Sequence, residues 1–203
     1  MKKMKRIAIF GTHGAAKTTL VYKLAAYYKM NDKNVIVIHE TARQSPFPIN
    51  TDVVYQTTLF VVVSQLQKEL KAEAEGFEIA ISDRTPSDAF IYINHLKREN
   101  SLTKSLELFC LEWIKKYDLL VYLEPSEGYS ITNDGIRASD KNYQIAIRDD
   151  FRLLVDEICQ KLGDKIRLVK AQSSQIFDEN QCNDLVDEIN RSLYEQITDI
   201  HMV

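Results

Sequence analysis

The stretch Gly11-Thr12-His13-Gly14-Ala15-Ala16-Lys17-Thr18-Thr19 carries the residue types that hold a polyphosphate. Its glycines let the backbone turn tightly, so that successive N–H groups face an anion. A helix opening at the end of the stretch adds its dipole. Lys17 would reach the β- and γ-phosphates, and the Thr18 hydroxyl would ligate Mg²⁺. One position departs from the G-x-x-x-x-G-K-[ST] pattern: Ala16 stands before the lysine, where glycine is usual. Alanine is the least costly replacement there if its φ stays negative.

Charged residues elsewhere supply the remainder of a phosphoryl-transfer site. Asp83 closes the apolar run Ile79-Ala80-Ile81, where a second Mg²⁺ group belongs. Arg84 follows it and suits bidentate clamping of phosphoryl oxygens. Glu40 ends the run Val35-Ile36-Val37-Ile38 and could accept a proton from an acceptor hydroxyl, or hold a ribose hydroxyl. Arg43 could pair with a negative acceptor or neutralise Glu40. Arg137, in Asn133-Asp134-Gly135-Ile136-Arg137, is placed as a lid arginine would be. Lys141 and Arg148 are weaker candidates, and Asp149-Asp150 make Arg148 read equally as a solvated helix face.

His13 would only cover the loop, and His39 reads as a satisfied structural histidine. His95 and His201 have no partner by spacing, so no metal site beyond Mg²⁺ is expected. Tyr55, Gln65 and Gln67 read first as helix surface or core, with recognition of an acceptor ring as the alternative.

The elements that must position these groups alternate along the chain. Strands are expected at 5–10, 35–38, 77–82, 117–123 and 166–169. Helices are expected at 17–30, about 53–75, 89–97, 102–116, 141–162 and about 180–197. Residues 44–50, with Pro46 and Pro48, form a loop, and 126–140 is a polar segment. Leu106, Phe109, Cys110 and Trp113 should share one helix face. Strand–helix alternation of this kind gives a parallel sheet covered on both faces, with ligands beyond the carboxyl ends of its strands. The phosphate loop, His39 to Arg43, and Asp83-Arg84 all fall at such ends.

Composition narrows the classes. The 203 residues suit one α/β domain, and the net charge of -3 gives no broad basic surface for duplex nucleic acid. Cys110, Cys159 and Cys182 make no metal-binding spacing. Their odd number suggests reduced thiols and a cytoplasmic setting, and Cys110 and Cys159 read as small core residues. No apolar run is long enough for a membrane span, and the one after the basic start is too short for a signal segment.

Gly11 to Thr19, His39-Glu40-Thr41-Ala42-Arg43, Ser82-Asp83-Arg84-Thr85 and Asp134-Gly135-Ile136-Arg137 occur in that order. Together they resemble the P-loop kinase-type NTPases grouped with the ribosylnicotinamide kinase domain of the bifunctional NAD regulator. More broadly they are similar to thymidylate and deoxynucleoside kinases. The resemblance spans almost the whole chain. It implies a three-layer α/β sandwich with a five-stranded parallel sheet in the order 2-3-1-4-5. It also implies acceptor-binding helices within 44–75 and 86–116, a lid near 126–140, and an adenine near Ala171 to Ser173. By the same resemblance Lys17 and Thr18 bind phosphate and Mg²⁺, Asp83 is the metal-side carboxylate, Glu40 the acceptor-side carboxylate and Arg137 the lid arginine. Glu40 and Asp83 could exchange roles.

The expected activity is ATP- and Mg²⁺-dependent phosphoryl transfer to a nucleoside-, nucleotide- or ribosylnicotinamide-like acceptor. The catalytic set would be Lys17, Glu40, Asp83, Arg84 and Arg137. The partners expected are a nucleotide donor and a small acceptor, with a homodimer as the one assembly allowed for. The rival is a regulatory ATP- or GTP-binding switch that hydrolyses slowly and has no small-molecule acceptor. No N-K-x-D-like guanine reader is present to separate ATP from GTP.

Overall fold

A computed structural model describes residues 3–126 and 141–195. The elements are β1 (Lys5–Phe10), α1 (Lys17–Met30), β2 (Val35–Ile38), α2 (Tyr55–Ala74), β3 (Ile79–Asp83) and α3 (Asp88–His95). They continue with α4 (Ser101–Ile114), β4 (Leu119–Glu124), α5 (Lys141–Leu162), β5 (Leu168–Gln172), α6 (Ser173–Phe177) and α7 (Glu179–Tyr194). All strand pairs are parallel, and the sheet order is β2-β3-β1-β4-β5, as expected. This is the P-loop NTPase kinase fold.

Side chains alternate across β1 and build two cores. Ile7 and Ile9 join Leu20 and Leu24 of α1 and Leu185 and Ile189 of α7. Ala8 and Phe10 join Ile147, Phe151 and Ile158 of α5 on the opposite face. Both faces of the central strands are therefore dry, which is why they read as continuous apolar runs. A third cluster, with Val62, Phe90, Ile93 and Cys110, packs α2, α3 and α4 against one another.

Several boundaries differ from the sequence reading. β5 runs on to Gln172 because Leu123 and Glu124 of β4 continue the ladder to Ala171 and Gln172. The strand expected at 166–169 thus lies at Leu168–Gln172 and runs directly into the short helix α6. On α4 the buried positions are Thr103, Cys110 and Ile114, while Phe109 is 47% exposed. Cys159 is exposed rather than core, since α5 turns Phe151, Val155 and Ile158 inward instead. Among the described residues, no helix is long and apolar enough to cross a membrane.

The order β2-β3-β1 determines the site. It sets the end of β3 beside the end of β1, with Ile9 opposite Asp83, and β2 beyond it. Gly11 leaves β1 with φ 137°, and a Cβ there would lie 2.3 Å from the Leu123 carbonyl oxygen. Gly11→Ala is therefore expected to destabilise the fold by about 3 kcal/mol, from overpacking and the positive φ together. Urea denaturation measures this, and a loss of less than about 1 kcal/mol contradicts the close approach.

Candidate active site

The loop between β1 and α1 and the ends of β2 and β3 close around one cavity. Its floor is His13 to Thr19, its charged wall is Glu40, Arg43, Asp83, Arg84 and Asp88, and Ile49, Val53, Val61 and Tyr92 contribute apolar surface. Gly11 and Thr12 sit buried just beneath it.

α1 begins without a side-chain cap and without an acidic residue in its first turn. Its free N–H groups and positive dipole end therefore remain available to an anion. Gly14 has φ 78° and Ala16 has φ 62°. The negative φ that would make alanine an inexpensive replacement is thus not found. The chain must pass through a left-handed residue to bring Lys17 into the helix, and a Cβ makes that conformation strained.

Lys17 is buried, and its Nζ donates to the Thr12 carbonyl at 2.7 Å. Burial, reinforced by the neighbouring Arg84 cation, lowers its pKa from 10.5 to about 7; Asp83, Asp88 and Glu40 oppose this only in part. A phosphate replacing the Thr12 carbonyl would restore the charge. Thr18 Oγ1 donates to Asp83 Oδ2 at 2.6 Å. That pair places two hard oxygen ligands at the mouth of the phosphate loop, a donor set that fits Mg²⁺ shared with phosphate and water.

Arg84 has φ 95°, in the left-handed region that side chains rarely adopt. Its Nε donates to Glu40 Oε1 at 2.7 Å, and its Nη1 lies 3.5 Å from the Tyr92 hydroxyl and 3.6 Å from Asp88 Oδ2. Burial alone would favour loss of its proton, but Glu40, Tyr92, Asp88 and Asp83 more than offset that and hold it firmly charged. For Glu40 burial raises the pKa, and Arg84, Lys17 and Arg43 together reverse this to a net lowering. Arg43 lies 3.8 Å from Glu40 Oε2, so it joins the same cluster.

The sequence reading missed Asp88 as part of this wall. Asp88 opens α3, and its Oδ1 accepts from Thr85 N–H at 3.1 Å and from Thr85 Oγ1 at 2.7 Å. The other carboxyl oxygen is buried without a hydrogen-bond donor, and burial raises the Asp88 pKa. The four-residue spacing from Arg84 at a helix start was the available signal.

Other expected residues fall elsewhere. Arg137, the expected lid at 126–140 but for its first residue, and His201 lie outside the described residues. Lys141 opens α5, and Arg148 pairs with Asp149 on that helix. His39 is exposed with its ring 5.8 Å from Tyr22, because the chain turns it away from the cavity. His13 is buried between Tyr92 and Tyr143. His95 acquires a partner from the fold, Asp150 at 2.7 Å. Gln67 is exposed and Tyr55 starts α2, while Gln65 is buried and bonded to the Arg84 carbonyl.

A family model described as an AAA domain (AAA_28) matches residues 6–170. The chain belongs to that family. Among solved structures, its fold is similar to the deoxyadenosine kinase of M. mycoides with bound dATP. The TM-score is 0.64 at 14% identity, over 91% of this chain and 99% of that one. No curated protein matches its sequence. Fold and family together define a P-loop protein of kinase-like architecture.

Ala16→Gly is expected to raise the unfolding free energy by about 0.5–1 kcal/mol. This is the left-handed strain of about 1–2 kcal/mol less the added entropy of a glycine in the unfolded chain. Denaturation without nucleotide measures it, and a less stable variant contradicts the strain at this position.

Proposed function

We propose that the protein transfers the terminal phosphoryl group of ATP to a hydroxyl of a nucleoside-, nucleotide- or ribosylnicotinamide-like acceptor. The observation that carries this reading is that Lys17, Thr18, Asp83, Glu40, Arg84 and Asp88 line one cavity. Lys17, Thr18 and Asp83 would form a donor half, and Glu40, Arg84 and Asp88 a second half beside it. A protein that only binds and hydrolyses nucleotide has no need of the second half or of the apolar wall from Ile49 to Val61.

The loop N–H groups and Lys17 would hold the phosphates in line with the acceptor. Mg²⁺, held by Thr18 and through Asp83, would supply charge neutralisation on the phosphoryl oxygens. Arg84 stays charged and would release part of its Glu40 contact to the developing phosphoryl charge. Glu40, ionised at neutral pH, would then accept the proton of the acceptor hydroxyl. Arg137 is proposed as the lid arginine. The rival, a regulatory nucleotide switch, shares the donor half but predicts no phosphorylated product.

Mass spectrometry of a mixed nucleoside, nucleotide and ribosylnicotinamide pool incubated with Mg²⁺-ATP tests the reading. One acceptor should gain a phosphoryl group; nucleotide binding with no such product across the panel decides for the switch. Lys17→Ala should abolish transfer while the protein stays folded, and an unchanged rate rejects the donor assignment.

The Lys17 shift also sets a pH dependence. Above about pH 7 the free protein holds Lys17 neutral, whereas phosphate requires it charged. Nucleotide binding therefore takes up a proton, and affinity should fall above pH 7 by up to about tenfold per unit. Calorimetry in buffers of different ionisation enthalpy measures the uptake. An affinity flat from pH 7 to 9 contradicts it.

A further inference from the structure

The buried carboxyl group of Glu69 lies outside the site as described. It sits on α2, is 1% exposed, and accepts four hydrogen bonds. Oε1 receives the Tyr117 hydroxyl at 2.5 Å, Gln65 Nε2 at 3.1 Å and Ser82 Oγ at 3.3 Å; Oε2 receives Trp113 Nε1 at 2.8 Å. All four donors are neutral side chains. Their positions span α2, β3, α4 and the approach to β4. Attaching a helix to a sheet does not require this, because apolar residues of similar volume do so at lower desolvation cost.

Two of these bonds lead to the residues on either side of Asp83. Ser82 precedes it directly. Gln65 uses the same Nε2 group to donate to the Arg84 carbonyl at 2.6 Å. The Arg84 N–H is held from the other side by the Ile9 carbonyl at 2.9 Å. A left-handed residue of this kind is strained and persists only where its surroundings over-determine it. The Ile9 and Gln65 bonds pin the peptides before and after Arg84, and that backbone directs the guanidinium to Glu40, Asp88 and Tyr92.

We propose that Glu69 is a positioning residue: through Gln65 and Ser82 it fixes the backbone on both sides of Asp83 and so sets where Arg84 points. As a statement about catalysis this rests on the phosphoryl-transfer reading above. As a statement about Arg84 it stands independently. It also ties the helix that carries cavity residues Thr57, Thr58 and Val61 to the strand end that carries Asp83.

The test uses the full chain with Gln65→Leu, which removes the bond to Arg84, and Glu69→Gln, which keeps the side-chain volume. Leu66→Ala is the control, since Leu66 packs on the α2–α4 core without joining the network. Hydrogen exchange at the Arg84 Nε–H, followed by ¹⁵N NMR, reads the position of the guanidinium without any acceptor. Exchange should accelerate at least about tenfold in Gln65→Leu and in Glu69→Gln but not in the control. Transfer kcat should fall at least about tenfold while the Kd of a fluorescent ATP analogue stays within about twofold, as expected for misplacement of one group. A lower Tm with unchanged Arg84 exchange means that Glu69 only holds the helix, and it overturns the proposal. Acceleration in the control as well does the same. If the wild-type protein phosphorylates no acceptor, the transfer reading fails and the Arg84 exchange alone decides this one. If Glu69→Gln does not fold, Glu69→Asp, which keeps the carboxylate but shortens its reach, takes its place with the same expected and contrary results.

Discussion

The part-buried pair Arg84–Glu40 is the contact on which the cavity depends. It joins the ends of β2 and β3, two strands whose backbones stop contacting each other before either residue is reached. Removing one member would leave the other charge half-buried and unpaired, which destabilises the wall of the cavity. Asp88, Arg43 and Lys17 are arranged around the pair, and their charges are mutually dependent. Arg84 lowers Lys17, the carboxylates keep Arg84 charged, and the cations together hold Glu40 ionised. A substitution at Arg84 or Glu40 therefore alters the electrostatic surroundings of Lys17 as well.

Of the non-glycine cavity residues with left-handed backbone, Ala16 and Arg84 adjoin or belong to this cluster. Both place a cation, Lys17 in one case and Arg84 itself in the other, where the regular continuation of helix or strand would not. Strain of this sort concentrates at functional sites. The support for it is also local. The Leu123 carbonyl is so close to Gly11 that a Cβ there would collide with it, and Ile9 and Gln65 hold Arg84.

Much of the fold was legible because its signals are local. The runs at 5–10, 17–30 and 35–38 match the observed elements, since apolar strands flanked by a glycine loop and a polar turn leave few alternatives. The convergence of Gly11 to Thr19, Glu40 and Asp83-Arg84 followed from one rule about strand ends. What escaped the sequence depends on partners far along the chain. Glu69 falls in the charged end of the expected helix 53–75, and its partners Ser82, Trp113 and Tyr117 are distant in sequence. Asp88 stands just before the expected helix 89–97, where an acidic residue is ordinary. The positive φ of Ala16 and the burial of Lys17 follow from loop geometry that composition does not encode.

The central claim is that the Arg84 fork, rather than a bare positive charge, joins donor and acceptor halves. Arg84→Lys keeps the charge but cannot reach Glu40, Asp88 and Tyr92 together. The most direct measurement is the phosphoryl-transfer kcat of Arg84→Lys alongside its Kd for ATP. The account predicts a kcat lower by about 100-fold with nucleotide affinity within about threefold of wild type. A kcat within about twofold of wild type would contradict it.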